Sequence, residues 1–182
     1  MSKLKRLVDN YEIYIGIPWR DAAAAQRVIF CVYNPMDELK LRAKIDEFEL
    51  ATRKKHHSWL HYDLTDTFTE WLSSQKYAKS YFQKPQLLPA VGSRYGNYLE
   101  ETCRVFLKES DVDDNTVVAV SGVASLFGFI KVKEMVDRIA PLIPGRLLVF
   151  FPGSYENNNF RLLDGYDGWN YHAYVITPDK DL

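Results

Sequence analysis

The chain has 182 residues, of which 47% are hydrophobic and 26% charged, which is enough for one well-filled core and short for two domains. The formal net charge of -1 excludes the strongly basic balance of proteins that coat nucleic acid. No run approaches membrane-spanning length, and residues 1–6 lack the apolar core of a secretory signal. We therefore expect a single cytoplasmic domain over residues 1–182.

The first third of the chain predicts an arm, two strands and a long helix. Residues 1–26 are expected to form an N-terminal arm packed on the domain, with helical spacing over 4–11. Residues 27–33 are continuously apolar, as in a central parallel strand covered on both faces, and 59–64 predict a second strand. One helix of about four turns lies between them, and its apolar residues are Met36, Leu39, Ala43, Phe48 and Leu50.

The rest of the chain alternates helices with strands. Thr65 or Asp66 is suited to cap a helix. The residues expected on its inner side are Phe68, Trp71, Leu72 and Tyr77. A further helix is predicted over 97–109, after a proline-containing segment that no helix can cross. Buried strands are predicted at 116–120, 147–151 and 171–176.

This alternation predicts an α/β fold with a mostly parallel central sheet of about five strands and helices on both faces. Between the last two strands, residues 160–163 indicate a short extended piece and 164–168 a turn. Cys31 and Cys103 each lie in an apolar periodic segment, which favours reduced core thiols over a disulfide or a zinc site. We expect neither a metal nor a cofactor.

The loop after the first strand is unsuited to phosphate binding. It contains no glycine, its Pro35 has no N–H, and Asp37 and Glu38 stand where an anion would bind. The loop 121–128 contains glycines but lacks the Gly spacing of a nucleophile elbow. An enzyme would have to use Asp63, Asp66 and Ser121, although turn and capping roles explain both acids.

The histidines and the basic run at residues 53–57 are two further candidate sites. His56, His57 and His61 share no helical face, which makes a metal site weak. The run contains Arg53, Lys54, Lys55 and His57, which either closes the end of a helix and complements its dipole or forms a nucleic-acid contact patch.

The strongest local signal follows the fourth strand. A Pro-Gly turn there is expected to present polar and aromatic side chains at the carboxyl edge of the sheet, followed by three asparagines that tolerate left-handed backbone angles. An elaborate turn and a recognition surface are both compatible with this pattern. The predicted partner-binding residues are Phe151, Pro152, Gly153, Tyr155, Glu156 and Arg161.

Several segments of the second half resemble the BrxB family, small proteins encoded in BREX bacteriophage-exclusion operons. The resemblance is strongest over 116–176 and contains no catalytic signature. Its segments are SGVASLF (121–127), VKEMV (132–136), FFPGSY (150–155), RLL (161–163) and NYHA (170–173).

The resemblance implies a non-enzymatic core component of a phage-defence complex that also contains a methyltransferase, an ATPase and the alkaline-phosphatase-like protein PglZ. It implies a degenerate nucleotide-hydrolase-like fold without a phosphate-binding loop, and it makes PglZ the preferred protein partner. The alternative is a nucleic-acid-binding accessory protein of the same system, acting through the basic run.

Overall fold

A six-stranded sheet forms the centre of the computed structural model, which describes residues 2–165 and 168–179. Five strands run parallel in the order β2-β3-β4-β1-β6, and β5 pairs antiparallel with the far end of β4. The strands are β1 (Val28–Tyr33), β2 (Ser58–Asp63), β3 (Thr116–Ser121), β4 (Arg146–Glu156), β5 (Asn159–Leu162) and β6 (Tyr174–Ile176).

Seven α-helices are defined among the described residues, and they cover both faces of the sheet. They are α1 (Lys3–Ile15), α2 (Glu38–Arg42), α3 (Ile45–Lys54), α4 (Thr67–Ser73), α5 (Ala78–Gln83), α6 (Gly92–Glu109) and α7 (Val132–Ile139). Residues of α1, α2 and α3 pack on one face, and residues of α4, α6 and α7 pack on the other. The predicted α/β fold with a mostly parallel sheet is confirmed.

The two faces of β4 explain the continuous apolar pattern of the central strands. Leu148 and Phe150 point into the core under α1 and α3, while Leu147, Val149 and Phe151 point into the core under α4, α6 and α7. Successive side chains of a strand alternate between its faces, so a strand covered on both sides needs apolar residues at every position.

The predicted N-terminal arm contributes a core element of the domain. Along α1, Leu7, Tyr11 and Ile15 are fully buried against the sheet and α3. The Tyr11 hydroxyl shares a buried hydrogen bond of 2.6 Å with Thr52 of α3. Residues 17–23, by contrast, have no regular secondary structure and are largely exposed.

The single long helix predicted after β1 is wrong. A 3-10 turn at Pro35–Asp37 leads into α2, and the Lys44 N–H bonds to the Leu41 carbonyl, which closes the tight turn between α2 and α3. Of the five residues expected on the apolar side of this helix, Phe48 is buried, whereas Met36, Leu39 and Leu50 are 88%, 81% and 66% exposed. The other buried hydrophobic residues of α2 and α3 are Leu41, Ile45 and Ala51.

Two further boundaries differ from expectation. Tyr77 was expected on the inner side of its helix but is 60% exposed, because α4 ends at Ser73. The helix expected from Asn97 begins at Gly92, directly after a 3-10 segment that holds Pro85 and Pro89. The turn predicted over 164–168 includes Tyr166 and Asp167, which lie outside the described residues.

Cys31 and Cys103 are free and buried. Burial raises the pKa of both thiols, to about 12 for Cys103, so both are uncharged at neutral pH. In the part of the chain that the structure describes, no helix is both long and apolar enough to cross a membrane.

Replacing Leu7 by Ala tests whether α1 belongs to the core. Because Leu7 is fully buried, the variant should lose about 2–5 kcal/mol of unfolding free energy, measured by urea denaturation. Ile13→Ala on the same helix is the control, since Ile13 is 52% exposed and should change stability by about 0.5 kcal/mol or less. Equal effects of the two substitutions would contradict a structural role for α1.

Candidate functional site

A cleft lies at the carboxyl edge of the sheet, between the ends of the neighbouring strands β1 and β4. The chain leaves β1 toward the face covered by α1 and α3, and it leaves β4 toward the opposite face. Such a change of direction between adjacent parallel strands opens a crevice in α/β sheets. Here the crevice measures about 460 Å³ and is lined by Tyr33–Pro35, residues 153–156 and residues 177–179.

β4 extends past this edge as one arm of a hairpin. Its ladder with β1 ends at the pair Tyr33 and Pro152, and it then pairs with β5 as far as Glu156 and Asn159. Asn157 and Asn158 form the turn with φ of 50° and 63°, the left-handed angles that a two-residue type I′ turn requires. The turn predicted at Pro152 and Gly153 is therefore wrong.

Local chemistry explains why the strand passes through these two residues. Pro152 lies beyond the last β3 partner of β4, at the end of the ladder, where its missing N–H disturbs little, and its carbonyl accepts from the Leu163 N–H at 2.8 Å. Gly153 faces β5 so closely that a Cβ atom would overlap the Arg161 carbonyl. The Pro-Gly pair therefore allows β4 to leave β1 and pair closely with β5.

An aromatic cluster anchors the hairpin to the sheet. Phe160 of β5 is fully buried, with its ring 4.6 Å from that of Phe30 and 4.9 Å from that of Trp169. The backbones of Phe160 and Trp169 exchange two hydrogen bonds of 2.7 and 3.1 Å. The Tyr155 ring covers Phe160 at 4.6 Å. These contacts fix the base of the hairpin.

The predicted partner-binding residues divide into buried and accessible groups. Phe151 is fully buried and Pro152 is also buried, so neither side chain is accessible at the surface of this fold. Their side chains belong to the core because β4 runs on through them. Gly153 and Tyr155 are half-buried, and Glu156 and Arg161 are exposed.

Glu156 and Arg161 share the outward face of the hairpin. Ser154 is the register partner of Arg161, and strand alternation places Glu156 on the same side as Ser154. Tyr155 and Phe160 form the opposite, core-facing side.

The loop after β1 is occupied by its own side chains. The side-chain Oδ1 of Asn34 accepts from the Met36 N–H at 2.9 Å, and Pro35 has no N–H. The Tyr33 hydroxyl donates to Glu38, and burial together with this bond raises the pKa of Tyr33. An anion would meet a carboxylate at this helix start.

A polar chain joins this loop to the end of β2. Glu38 accepts from Arg42 at 2.9 Å, and Arg42 donates to the Thr65 hydroxyl at 2.6 Å. Thr65 in turn donates to Asp63 from its hydroxyl at 2.6 Å and from its backbone N–H at 2.9 Å. Sequence reasoning missed Arg42 and considered Thr65 only as a helix cap, although the i, i+4 spacing of Glu38 and Arg42 was a signal.

The residues considered for catalysis do not form a triad. Asp63 and Ser121 are register partners, but Asp63 bonds to Thr65 and Arg42 while Ser121 lies 2.8 Å from His61 Nε2. Ser121 is only 2% exposed, so a substrate carbonyl has no approach to its hydroxyl. Burial lowers the pKa of His61. Asp66 stands apart at the start of α4.

The basic run is held by contacts within the domain. Arg53 pairs with Glu49 at 2.7 Å, while Lys54 and Lys55 reach Glu12 of α1 at 2.5 and 3.6 Å. These contacts join the end of α3 to α1 and reduce the positive charge available to a phosphate backbone.

His57 is likewise engaged. Its ring stacks on Trp19 with centroids 3.9 Å apart, and its Nδ1 lies 2.6 Å from the Asn115 side-chain oxygen. The three histidines do not converge, and the described residues contain no cluster of potential metal ligands.

The substitution Asp63→Asn tests how much the Asp63 charge stabilises the polar chain that joins the loop after β1 to the end of β2. Partial burial alone would raise the pKa of Asp63, but the bonds from Thr65 and the charge of Arg42 lower it. The stability gained from the carboxylate is therefore present above the ordinary Asp pKa of about 3.9 and is lost as pH falls through the lower folded value.

At pH 7 we expect Asp63→Asn to cost about 1 kcal/mol of unfolding free energy, since solvent screens this exposed group. The difference from wild type should shrink as pH falls below the ordinary Asp pKa of about 3.9 and through the lower folded value, because both proteins then carry an uncharged side chain. The control is Asp66→Asn, whose side chain makes no capping bond. A pH-independent difference would show that charge does not stabilise the network.

The fold and the cleft at its carboxyl edge are established by the geometry of this chain alone. No protein-family model, curated protein or solved structure matches this chain.

Proposed function

We propose that this chain is a non-catalytic core component of a BREX phage-defence system and acts there as a protein–protein interaction module. PglZ is the preferred partner, because the BrxB resemblance over 116–176 implies membership of that complex. The observation that carries the interaction role is the β4–β5 hairpin, which extends from a central strand buried over residues 147–152 and exposes a polar face beyond the sheet.

The construction of the hairpin supports a display role. Its inward side is fixed by Phe160 and Trp169. Its two-residue turn has left-handed backbone angles, whose twist matches that of the two flanking strands. A rigid loop loses little conformational entropy when a partner binds, so its exposed groups convert more of their contacts into affinity. Glu156 and Arg161 supply opposite charges on the free side.

The polar groups at the carboxyl edge support a non-catalytic role. Tyr33, Glu38, Arg42 and Asp63 bond to one another or to Thr65. Ser121 is buried beneath the edge. A nucleophile requires an accessible approach and a positioned base, and a phosphate site requires free backbone N–H groups.

Co-purification with each BREX neighbour tests the proposal. The tagged chain should retain PglZ, and the charge exchange Glu156→Arg with Arg161→Glu should abolish or strongly reduce that retention. The matched control is Asp114→Arg with Lys133→Glu, which exchanges two exposed charges elsewhere and keeps the same net charge.

Each result has a definite meaning. Retention of PglZ by the wild type and the control, but not by the hairpin variant, supports both the partner and the surface. If the chain retains none of the three proteins, the methyltransferase, the ATPase and PglZ, the BREX proposal is overturned. Equal retention by both variants overturns the assignment of the interface to the hairpin.

A further inference from the structure

The strand β2 is an edge of the sheet, distant in the strand order from β6 at the other end. Ser58 and Asp63 at its ends are exposed and the four residues between them are half-buried, whereas β1 and β3 are buried throughout. Among the described residues no strand pairs with its outer side. A row of peptide groups is therefore open to another strand.

The backbone groups on the outer side follow from the ladder with β3. The N–H groups of Ser58 and Leu64 donate toward β3, to Asn115 and Ser121 at 3.1 and 3.0 Å. Alternate residues of a strand turn their peptide groups to opposite sides. The N–H and C=O groups of the odd-numbered residues 59–63 therefore point away from the sheet.

The strand lacks the features that usually protect such an edge. Its sequence SWLHYD contains no proline and no lysine, and its pairing with β3 continues without a bulge over all six residues. Natural proteins use those devices to prevent unwanted strand pairing. A long, regular edge without them is suited to a partner that adds a strand.

A cleft of about 440 Å³ runs beside this edge, between β2, α4 and α6. Its floor is aromatic, because the ring of Tyr62 stacks on that of Phe106 at 4.9 Å. Tyr62 is held in place by a 3.1 Å hydrogen bond with Thr102, and Val105 adds an apolar side chain that is 49% exposed. Alternate side chains of an added strand would enter this cleft.

The rim of the cleft is negatively charged. Asp63, Glu70, Glu101 and Glu109 line it, and none of its described lining residues is basic. Two cations outside the lining reach the rim: Arg42 lies 3.4 Å from Asp63, and Arg104 lies 3.8 Å from Glu101. On the other face of β2, the charges that act on His61 come from Arg42 of α2 as well as from Asp46 and Glu49 of α3, so that face is mixed in charge. The acidic rim lies on the side of α4 and α6.

We propose that an extended, Lys- or Arg-rich segment of a partner protein docks on β2 as an additional strand. Its backbone would pair with residues 59–63, and its cationic side chains would lie over Tyr62 and Phe106 within reach of Glu101 and Glu109. The acidic rim repels a phosphate backbone, and it repels the same edge of a second copy. A basic peptide segment is the occupant whose charge and backbone both match.

This surface is separate from the hairpin, so the inference goes beyond the proposed function. The probe is a fluorescently labelled peptide of alternating Lys and Val, as long as β2, with binding followed by anisotropy. Two matched peptides separate the contributions: one replaces Lys by Glu, and the other keeps every charge but carries an N-methyl group on every residue, which removes the backbone donors from both edges of the strand.

We expect the Lys-Val peptide to bind, the Glu-Val peptide not to bind, and the N-methylated peptide to bind about tenfold more weakly or worse. Glu101→Lys with Glu109→Lys should weaken binding of the Lys-Val peptide by about tenfold, a difference of about 1.4 kcal/mol. The control Asp21→Lys with Asp114→Lys makes the same charge change at exposed sites outside the cleft and should leave binding unchanged. Binding should weaken as salt rises from about 0.05 to about 0.3 M.

Three results would overturn the inference: no binding of the Lys-Val peptide, equal binding of the N-methylated peptide, or equal effects of the two double variants. Unfolding midpoints of both variants, measured in parallel, show that a loss of binding is not a loss of fold. The hairpin variant Glu156→Arg with Arg161→Glu should bind the peptide like wild type, so this test and the PglZ test fail independently.

Discussion

Burial of β4 on both faces, between two neighbouring strands, is the constraint on which the rest of the structure depends. Five consecutive side chains, 147–151, are 1% exposed or less. Each contributes about 1.5–3 kcal/mol relative to exposure. Their sum is comparable to the whole net stability of a typical domain, about 5–15 kcal/mol. Two helical layers are needed to cover this one strand, and they set the α/β architecture.

That constraint also explains which parts of the fold could be predicted from sequence. Continuous apolar runs such as Val28–Tyr33 can exist only where both faces are covered, so the central strands were located to within a few residues. The helix after β1 could not be predicted in the same way. Its apolar residues Met36 and Leu39 fit a helical period, but the tight turn at Lys44 redirects the buried side.

The local structure of the candidate site was only partly predictable from sequence. The segment 150–156 was recognised as unusual, yet Pro152 and Gly153 are typical of turns, and only the position of β5 shows why they lie in a strand. The exposed edge at β2 could not be predicted either. The order of strands in a sheet depends on contacts between distant parts of the chain, so the sequence of Ser58–Asp63 alone does not determine which strands lie beside β2.

The two sides of the β4–β5 strand pair have different environments. Tyr155, Phe160 and Gly153 keep the pair folded and attached, while Ser154, Glu156, Asn159 and Arg161 point outward. Changes on the outward side leave the core untouched, and surface substitutions of this kind cost little stability. The chemistry of the outward row of side chains can therefore drift or be re-engineered without an accompanying loss of foldability.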